Sequence, residues 1–148
     1  MTDRSASFVY VTYILTTPEK VFEAITRPDV TSRYWGHENV STDWKPGSAW
    51  QHVRTDAARS VDLVGEVISS NPPRQLVISW ANESQKDDLA EYSRVTFDIE
   101  PQGGMVKLTV THEDLQPDSG MFNGISKGWP LVLSSMKSLL ETGHGFDL

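Results

Sequence analysis

The sequence predicts an α+β fold in which helices cover one face of a curved antiparallel sheet. Three observations support this prediction. Three consecutive segments alternate apolar and polar residues, as hairpin-connected strands with one buried face do. The final segment instead carries an apolar stripe at helical spacing. The elements follow in the order strand, helix pair, meander of about five strands and long helix, which places the helices against a single sheet.

The first element is a strand over residues 8–16, FVYVTYILT, which is rich in β-branched and aromatic residues. A helix follows, with Thr17 as the expected N-cap and Pro18 as the first helical residue, where the missing N–H of proline costs nothing. This helix is predicted to stop near Arg27-Pro28, because the residue before a proline disfavours helical geometry. A second short helix is predicted over residues 29–34.

Residues 36–60 are rich in glycine, proline and polar side chains, and a single strand is predicted there, over residues 48–53. Stronger strand patterns follow at 61–69, 75–82, 92–100 and 105–112, so the sheet has about six strands. The closing helix covers residues 119–141, and Gly143 beyond its end is a stop signal.

Alternation in the last three strands indicates which side chains face the helices. One face carries apolar residues and a histidine: Leu76, Ile78, Trp80, Val95, Phe97, Ile99, Val106, Leu108, Val110 and His112. The apolar stripe of the closing helix comprises Phe122, Ile125, Trp129, Leu133, Met136 and Leu140. This stripe and this sheet face are therefore expected to pack together.

Pro130 directly follows Trp129 inside the closing helix, where proline removes a backbone hydrogen bond and favours a kink. A kinked helix over a bent sheet predicts a gap lined by large, adaptable side chains. Two interpretations stay open: an internal cavity roofed by the helix, or a filled core that tolerates the kink. The residues expected to line such a cavity are Trp35, Trp50, Trp80, Phe97, His112, Phe122, Trp129, Leu133 and Met136.

Composition narrows the classes of function. The 148 residues include 13 basic and 20 acidic ones, and the net charge of −7 disfavours nucleic acid and anionic membranes as partners. No cysteine is present, which excludes disulfides, thiolate metal sites and cysteine nucleophiles. Without a signal-peptide pattern or an apolar run of about 20 residues, the sequence predicts a single cytoplasmic domain, with its core over residues 8–142 and no membrane insertion.

The sequence contains no recognisable catalytic or metal-binding constellation. No nucleophile elbow surrounds a serine, and Gly103-Gly104 belongs to a hairpin rather than to a phosphate-binding loop. The four histidines show no metal-ligand spacing, so no metal and no cofactor are expected. His112 ends an inward-facing run; we expect it either to contact a polar ligand group at the cavity mouth or to bond to nearby backbone.

The stretch TTPEKVFEAITRPDVTSRYWG, residues 16–36, resembles the opening signature of bacterial proteins related to the C-terminal domain of the activator of Hsp90 ATPase. Further matches are Pro46-Gly47, Gly65-Glu66-Val67, PPRQLV at 72–77, Trp80, LTVTHEDL at 108–115 and Gly128-Trp129. The resemblance runs from about Val11 to Leu140. It implies the helix-grip fold of the START-like, Bet v 1-like (SRPBCC) superfamily, with an apolar cavity between sheet and helix.

This resemblance and the expected cavity imply a non-enzymatic protein that binds a small apolar or amphipathic molecule, in stress response or regulation. The alternative is a protein–protein module, chaperone-associated or regulatory. A cyclase- or hydrolase-type enzyme that uses the same cavity is the third interpretation. The chain is expected to be a monomer or a homodimer.

Overall fold

The computed structural model describes residues 3–148 and confirms the α+β helix-grip architecture. The helices are α1 (Pro18–Thr26), α2 (Pro28–Trp35) and α3 (Gly120–Thr142), and short 3₁₀ turns cover Glu83–Gln85 and Leu89–Glu91. The strands are β1 (Ala6–Ile14), β2 (His37–Ser41), β3 (Ala49–Arg54), β4 (Val61–Asn71), β5 (Gln75–Asn82), β6 (Ser93–Gln102) and β7 (Met105–Leu115). They form one sheet in the order β1-β7-β6-β5-β4-β3-β2, and all neighbouring pairs are antiparallel.

The predicted helix ends are confirmed. The Thr17 hydroxyl accepts a hydrogen bond from the Lys20 N–H at 3.3 Å, which caps α1 before Pro18. The closing helix α3 runs through Pro130 and ends at Gly143, whose φ of 88° lies in the left-handed region that glycine adopts without strain. The Gly143 N–H donates to the Leu139 carbonyl at 2.8 Å, which satisfies one of the last free carbonyls of the helix.

The sheet has seven strands within residues 3–148, so the prediction of about six is wrong by one. The additional strand is β2, whose sequence HENVS carries no alternation of apolar and polar residues. It forms because it pairs in register with β3, from His37 opposite Arg54 to Ser41 opposite Trp50. Pairing of this kind overrides strand propensity, which measures mainly how a side chain packs.

Strand β7 is longer than predicted and continues to Leu115, so His112 does not end its strand. The charged residues Glu113 and Asp114 interrupt the apolar alternation, so the sequence pattern ends at His112. In the structure the strand continues, because Glu113 pairs with Arg94 of β6 and Leu115 pairs with Ala6 of β1. His112 is consequently fully buried within the sheet, with an exposed fraction of 0%.

Helix α3 packs on the predicted face of the sheet. Ile125, Trp129, Leu133 and Met136 are buried, as the stripe predicts, and Phe122 and Leu140 are partly buried against the same core. The helix also buries Val132 and Leu139, which widens the stripe. No helix within residues 3–148 is both long enough and apolar enough to cross a bilayer.

Candidate functional site

Four tryptophans from four elements form a contiguous cluster between α3 and the sheet. Trp35 ends α2, Trp50 and Trp80 lie in β3 and β5, and Trp129 lies in α3. The ring centroid of Trp80 is 5.4 Å from those of both Trp50 and Trp129, and the Trp35 and Trp129 centroids are 5.5 Å apart. These separations are typical of aromatic packing.

The cluster borders a cavity of about 170 Å³. This cavity is lined by Trp35, Leu63, Trp80, Gly124, Ile125, Gly128, Trp129 and Val132. A second cavity of about 240 Å³ shares Leu63, Trp80, Gly124 and Ile125 with it and adds Asn82, Gly120 and Met121. We call the two together the groove; it follows the N-terminal half of α3 along β4 and β5.

Three glycines of α3 face the groove at intervals of four residues: Gly120, Gly124 and Gly128. Glycine inside a helix costs about 1 kcal/mol relative to alanine. A Cβ added at any of the three would meet nothing within 4 Å, so packing within the chain does not require them. Their effect is to leave the helix backbone open to the groove.

Trp80 supplies an unsatisfied hydrogen-bond donor in the groove wall. Its side chain is 4% exposed, and its Nε1 has no partner within the described residues 3–148. The other two buried indoles are satisfied: Trp50 Nε1 donates to the Ser79 carbonyl at 2.8 Å, and Trp129 Nε1 donates to His112 Nδ1 at 3.1 Å. A buried donor without an acceptor costs about 1–3 kcal/mol, so this position favours an acceptor brought by a ligand.

The hydrogen bonds of His112 fix its tautomer. An indole N–H can only donate, so His112 Nδ1 accepts from Trp129 and the proton lies on Nε2. His112 Nε2 then donates to Ser93 Oγ at 2.7 Å, and the Ser93 hydroxyl donates to the Trp80 carbonyl at 3.2 Å. Burial lowers the pKa of His112 to about 3. The ring is therefore neutral and fully bonded, and it cannot act as a general base toward Ser93.

A pair of histidines, His37 and His52, lies beside Trp35. The rings of His37 and His52 stack with centroids 4.2 Å apart, and the His52 centroid is 4.6 Å from that of Trp35. His37 Nε2 contacts the Asp62 carboxylate at 2.9 Å, and His52 Nδ1 contacts Asn39 Oδ1 at 2.6 Å. Burial, together with the neighbouring His37, lowers the pKa of His52 to about 3. This arrangement supports the start of the β2–β3 hairpin.

No group of three or more histidine, aspartate or glutamate side chains within residues 3–148 is arranged to hold a metal ion. In the histidine pair, His37 contacts one carboxylate, that of Asp62, whereas His52 contacts the side-chain amide of Asn39. His52 is also only 3% exposed.

Three of the nine predicted lining residues, Trp35, Trp80 and Trp129, border the groove. Five more are buried in the core and do not line the groove: Trp50, Phe97, His112, Leu133 and Met136. Phe122 is partly buried against the same core. Reasoning from apolar side chains did not identify Gly120, Gly124 and Gly128, although their four-residue spacing on a helix is visible in the sequence.

Comparisons with known proteins identify a family and several solved structures of the same fold. The family model described as "Activator of Hsp90 ATPase homolog 1-like protein" matches residues 15–141. The solved Aha1 dimer of Colwellia psychrerythraea is 18% identical, with a TM-score of 0.78 over 95% of this chain and 99% of that chain. A Mesorhizobium loti protein is 25% identical, with a TM-score of 0.75 over 91% and 96% of the two chains.

A third similar structure is an HSP90 activator from Plasmodium falciparum, which is 22% identical with a TM-score of 0.73. The alignment covers 90% of this chain and 95% of that chain. Among curated protein sequences, none matches this chain.

Proposed function

The chain belongs to the Activator of Hsp90 ATPase homolog 1-like protein family, and from that premise we propose that it binds one small apolar or amphipathic molecule in the groove beneath α3. The observation that carries the proposal is the glycine row opposite the tryptophan wall. A helix that gives up about 1 kcal/mol at each of its two interior glycines, Gly124 and Gly128, without gaining contacts inside the chain, preserves space.

The composition of the groove supports binding through burial of apolar surface. Its wall consists mainly of indole and aliphatic side chains. The buried Trp80 Nε1 can donate to a polar atom of the ligand after a small shift of the indole. Binding is favoured over catalysis, because the buried histidine beside the groove has no free basic nitrogen.

Filling the groove is expected to abolish binding without unfolding the protein. Gly124→Leu directs an isobutyl group into open space, so the variant should retain its fold and lose the ligand. Native mass spectrometry after incubation with an organic extract of host cells would reveal one added small molecule on the wild type and none on the variant.

Lys127→Leu is the matched control for this experiment, because it adds the same side chain to α3 at an exposed position outside the groove. An adduct that is equally abundant on wild type and Gly124→Leu, or no adduct on either, would refute groove binding. Near-ultraviolet circular dichroism of both variants would verify their fold.

A second candidate function is contact with a protein partner through β1, and it rests on a separate observation. β1 is an edge strand of the sheet, and it exposes an apolar row of Val9 at 55%, Val11 at 43% and Tyr13 at 45%. Leu15, directly after the strand, continues the row at 64%. Exposed apolar edge strands are typical of surfaces that pair with another chain. The similar structure from Plasmodium is an HSP90 activator, which suggests Hsp90 as the partner to test.

On this second proposal the chain is expected to raise the ATPase rate of the host Hsp90, and Val11→Lys is expected to reduce that stimulation. Lysine on an edge strand disfavours strand pairing because it must desolvate its charge. Ile68→Lys is the matched control, because it places the same charge at an exposed apolar position of β4, three strands away from β1's neighbour β7. An unchanged ATPase rate with wild-type protein would refute contact of this kind.

A further inference from the structure

The apolar groove continues into a polar cavity at the N-terminal end of α3. This polar cavity has a volume of about 230 Å³, and Asn82, Gly120 and Met121 line both it and the groove. The two spaces therefore meet at the first turn of the helix. From Gly128 to Gly120 the path covers about 12 Å along the helix axis, at 1.5 Å per residue.

The charges around the polar cavity balance. Arg4 lines it and donates to the backbone carbonyls of Ala90 and Tyr92, while Glu91 and Asp114 are its acidic side chains. Asp114 is paired with Arg94 at 3.4 Å. Arg94 lies outside the lining but offsets the charge of Asp114, so Arg4 and Glu91 remain as one cation and one anion and leave no excess of either sign to hold a charged head group.

The other polar side chains of this cavity are mostly amides: Asn82, Gln85 and Gln116. An amide both donates and accepts hydrogen bonds, so it matches hydroxyl or amide groups of a ligand. The net charge of −7 on the whole chain adds a repulsion against anionic ligands.

We infer that the bound molecule is an amphiphile with an uncharged head group of hydroxyls or amides. The head group lies in the polar cavity, and the apolar chain follows the glycine row toward Trp129. The Trp80 Nε1, which is buried in the groove wall without an acceptor, donates to an oxygen near the junction of head and chain after a small shift of the indole. This inference rests on the proposed function of the groove.

Three probes with ten-carbon chains, counting the carbonyl carbon, and different head groups test the inference: monodecanoylglycerol, decanoate and decyltrimethylammonium. Binding is followed by tryptophan fluorescence below the micelle concentration, and stoichiometry by native mass spectrometry. The uncharged glyceride is expected to bind at least about tenfold more tightly than either charged probe, a difference of about 1.4 kcal/mol. Gly124→Leu, or Gly128→Ala if that variant does not fold, is expected to weaken binding of the glyceride.

Charge substitutions at the head-group end should change the preference in a defined direction. Gln116→Lys is expected to strengthen decanoate binding several-fold, and Gln116→Glu to strengthen decyltrimethylammonium binding by a similar factor. Gln102→Lys is the matched control, because it adds the same charge at the exposed far end of the β6–β7 hairpin.

The outcomes separate this inference from the proposed function. Equal affinities for all three probes, weakened by Gly124→Leu but unaffected by the Gln116 variants, would overturn the head-group assignment and leave groove binding intact. Tighter binding of a charged probe by the wild type would also overturn it. No binding of any probe by the wild type would overturn both the inference and the groove as a site for amphiphiles of this length.

Discussion

Acidification from pH 6.5 to pH 3 is expected to lower the free energy of unfolding by several kcal/mol, because two buried histidines are neutral in the folded chain. The pKa values of His52 and His112 are both lowered from 6.5 to about 3, chiefly by burial. The unfolded chain therefore binds more protons than the folded chain between these pH values. This stability is fully present above pH 6.5 and is lost as the pH falls toward 3.

A pKa difference of this size corresponds to about 5 kcal/mol for each ring, which is comparable to the whole stability of many domains. We therefore expect acid unfolding to begin well above the pH at which most carboxylates are protonated. Urea denaturation at a series of pH values from 7.5 to about 4.5 would measure the effect, since carboxylates of ordinary pKa contribute little in that range.

His112→Gln isolates one of the two rings. A glutamine can accept from Trp129 and donate to Ser93 but does not titrate, so the variant should lose about half of the pH dependence. The exposed His144, beyond the end of α3, provides the control His144→Gln. A wild-type free energy of unfolding that is flat from pH 6.5 to pH 4.5 would contradict the assignment of both histidines as buried neutral groups.

Gly65→Ala is expected to destabilise the protein by at least about 3 kcal/mol, the upper range for overpacked sites. A Cβ at this position would overlap the Ser79 carbonyl oxygen and Trp50 Nε1, which are joined by a hydrogen bond of 2.8 Å. Trp50 is 1% exposed and cannot move outward without opening the core. The melting temperature should fall by roughly 10 °C, measured by circular dichroism.

Gly124→Ala is the matched control for Gly65→Ala, since it adds the same methyl group to a glycine with open space in front of it. Because alanine is the better helix former, this variant should gain about 0.5–1 kcal/mol. An equal change in the free energy of unfolding for both variants would contradict the close approach of Gly65 to Trp50 and Ser79.

The sequence patterns that depend on local chemistry predicted most of the fold. The alternation in β5, β6 and β7 and the caps of α1 and α3 are visible in neighbouring residues, and the structure confirms them. Strand β2 was not predictable in this way. Its Asn39 is buried because its side chain donates to the Ile25 carbonyl and its backbone N–H donates to Thr31 Oγ1, and these partners come from other elements.

Part of the candidate site was likewise predictable from local sequence, and part depends on how distant elements pack. The tryptophans were identified from their size and placement, but the open space they face is created by residues without side chains, Gly124 and Gly128. The inward orientation of His112 follows from alternation, whereas its partners depend on the register between β6 and β7 and on the axial position of α3. Neither the register nor that position is encoded in a short segment.

The position of β1 in the sheet has a consequence for synthesis of the chain. Within residues 3–148, the neighbour of β1 in the sheet is β7, and the paired residues Ile14 and Val106 are separated by about 90 residues. β1 therefore leaves the ribosome well before its partner. At about 5–20 residues per second, this uncharged strand stays unpaired for roughly 5–20 s in every round of translation. Its unpaired backbone and the apolar side chains Val9, Val11 and Tyr13 then form a nascent segment that can pair with another chain until β7 emerges.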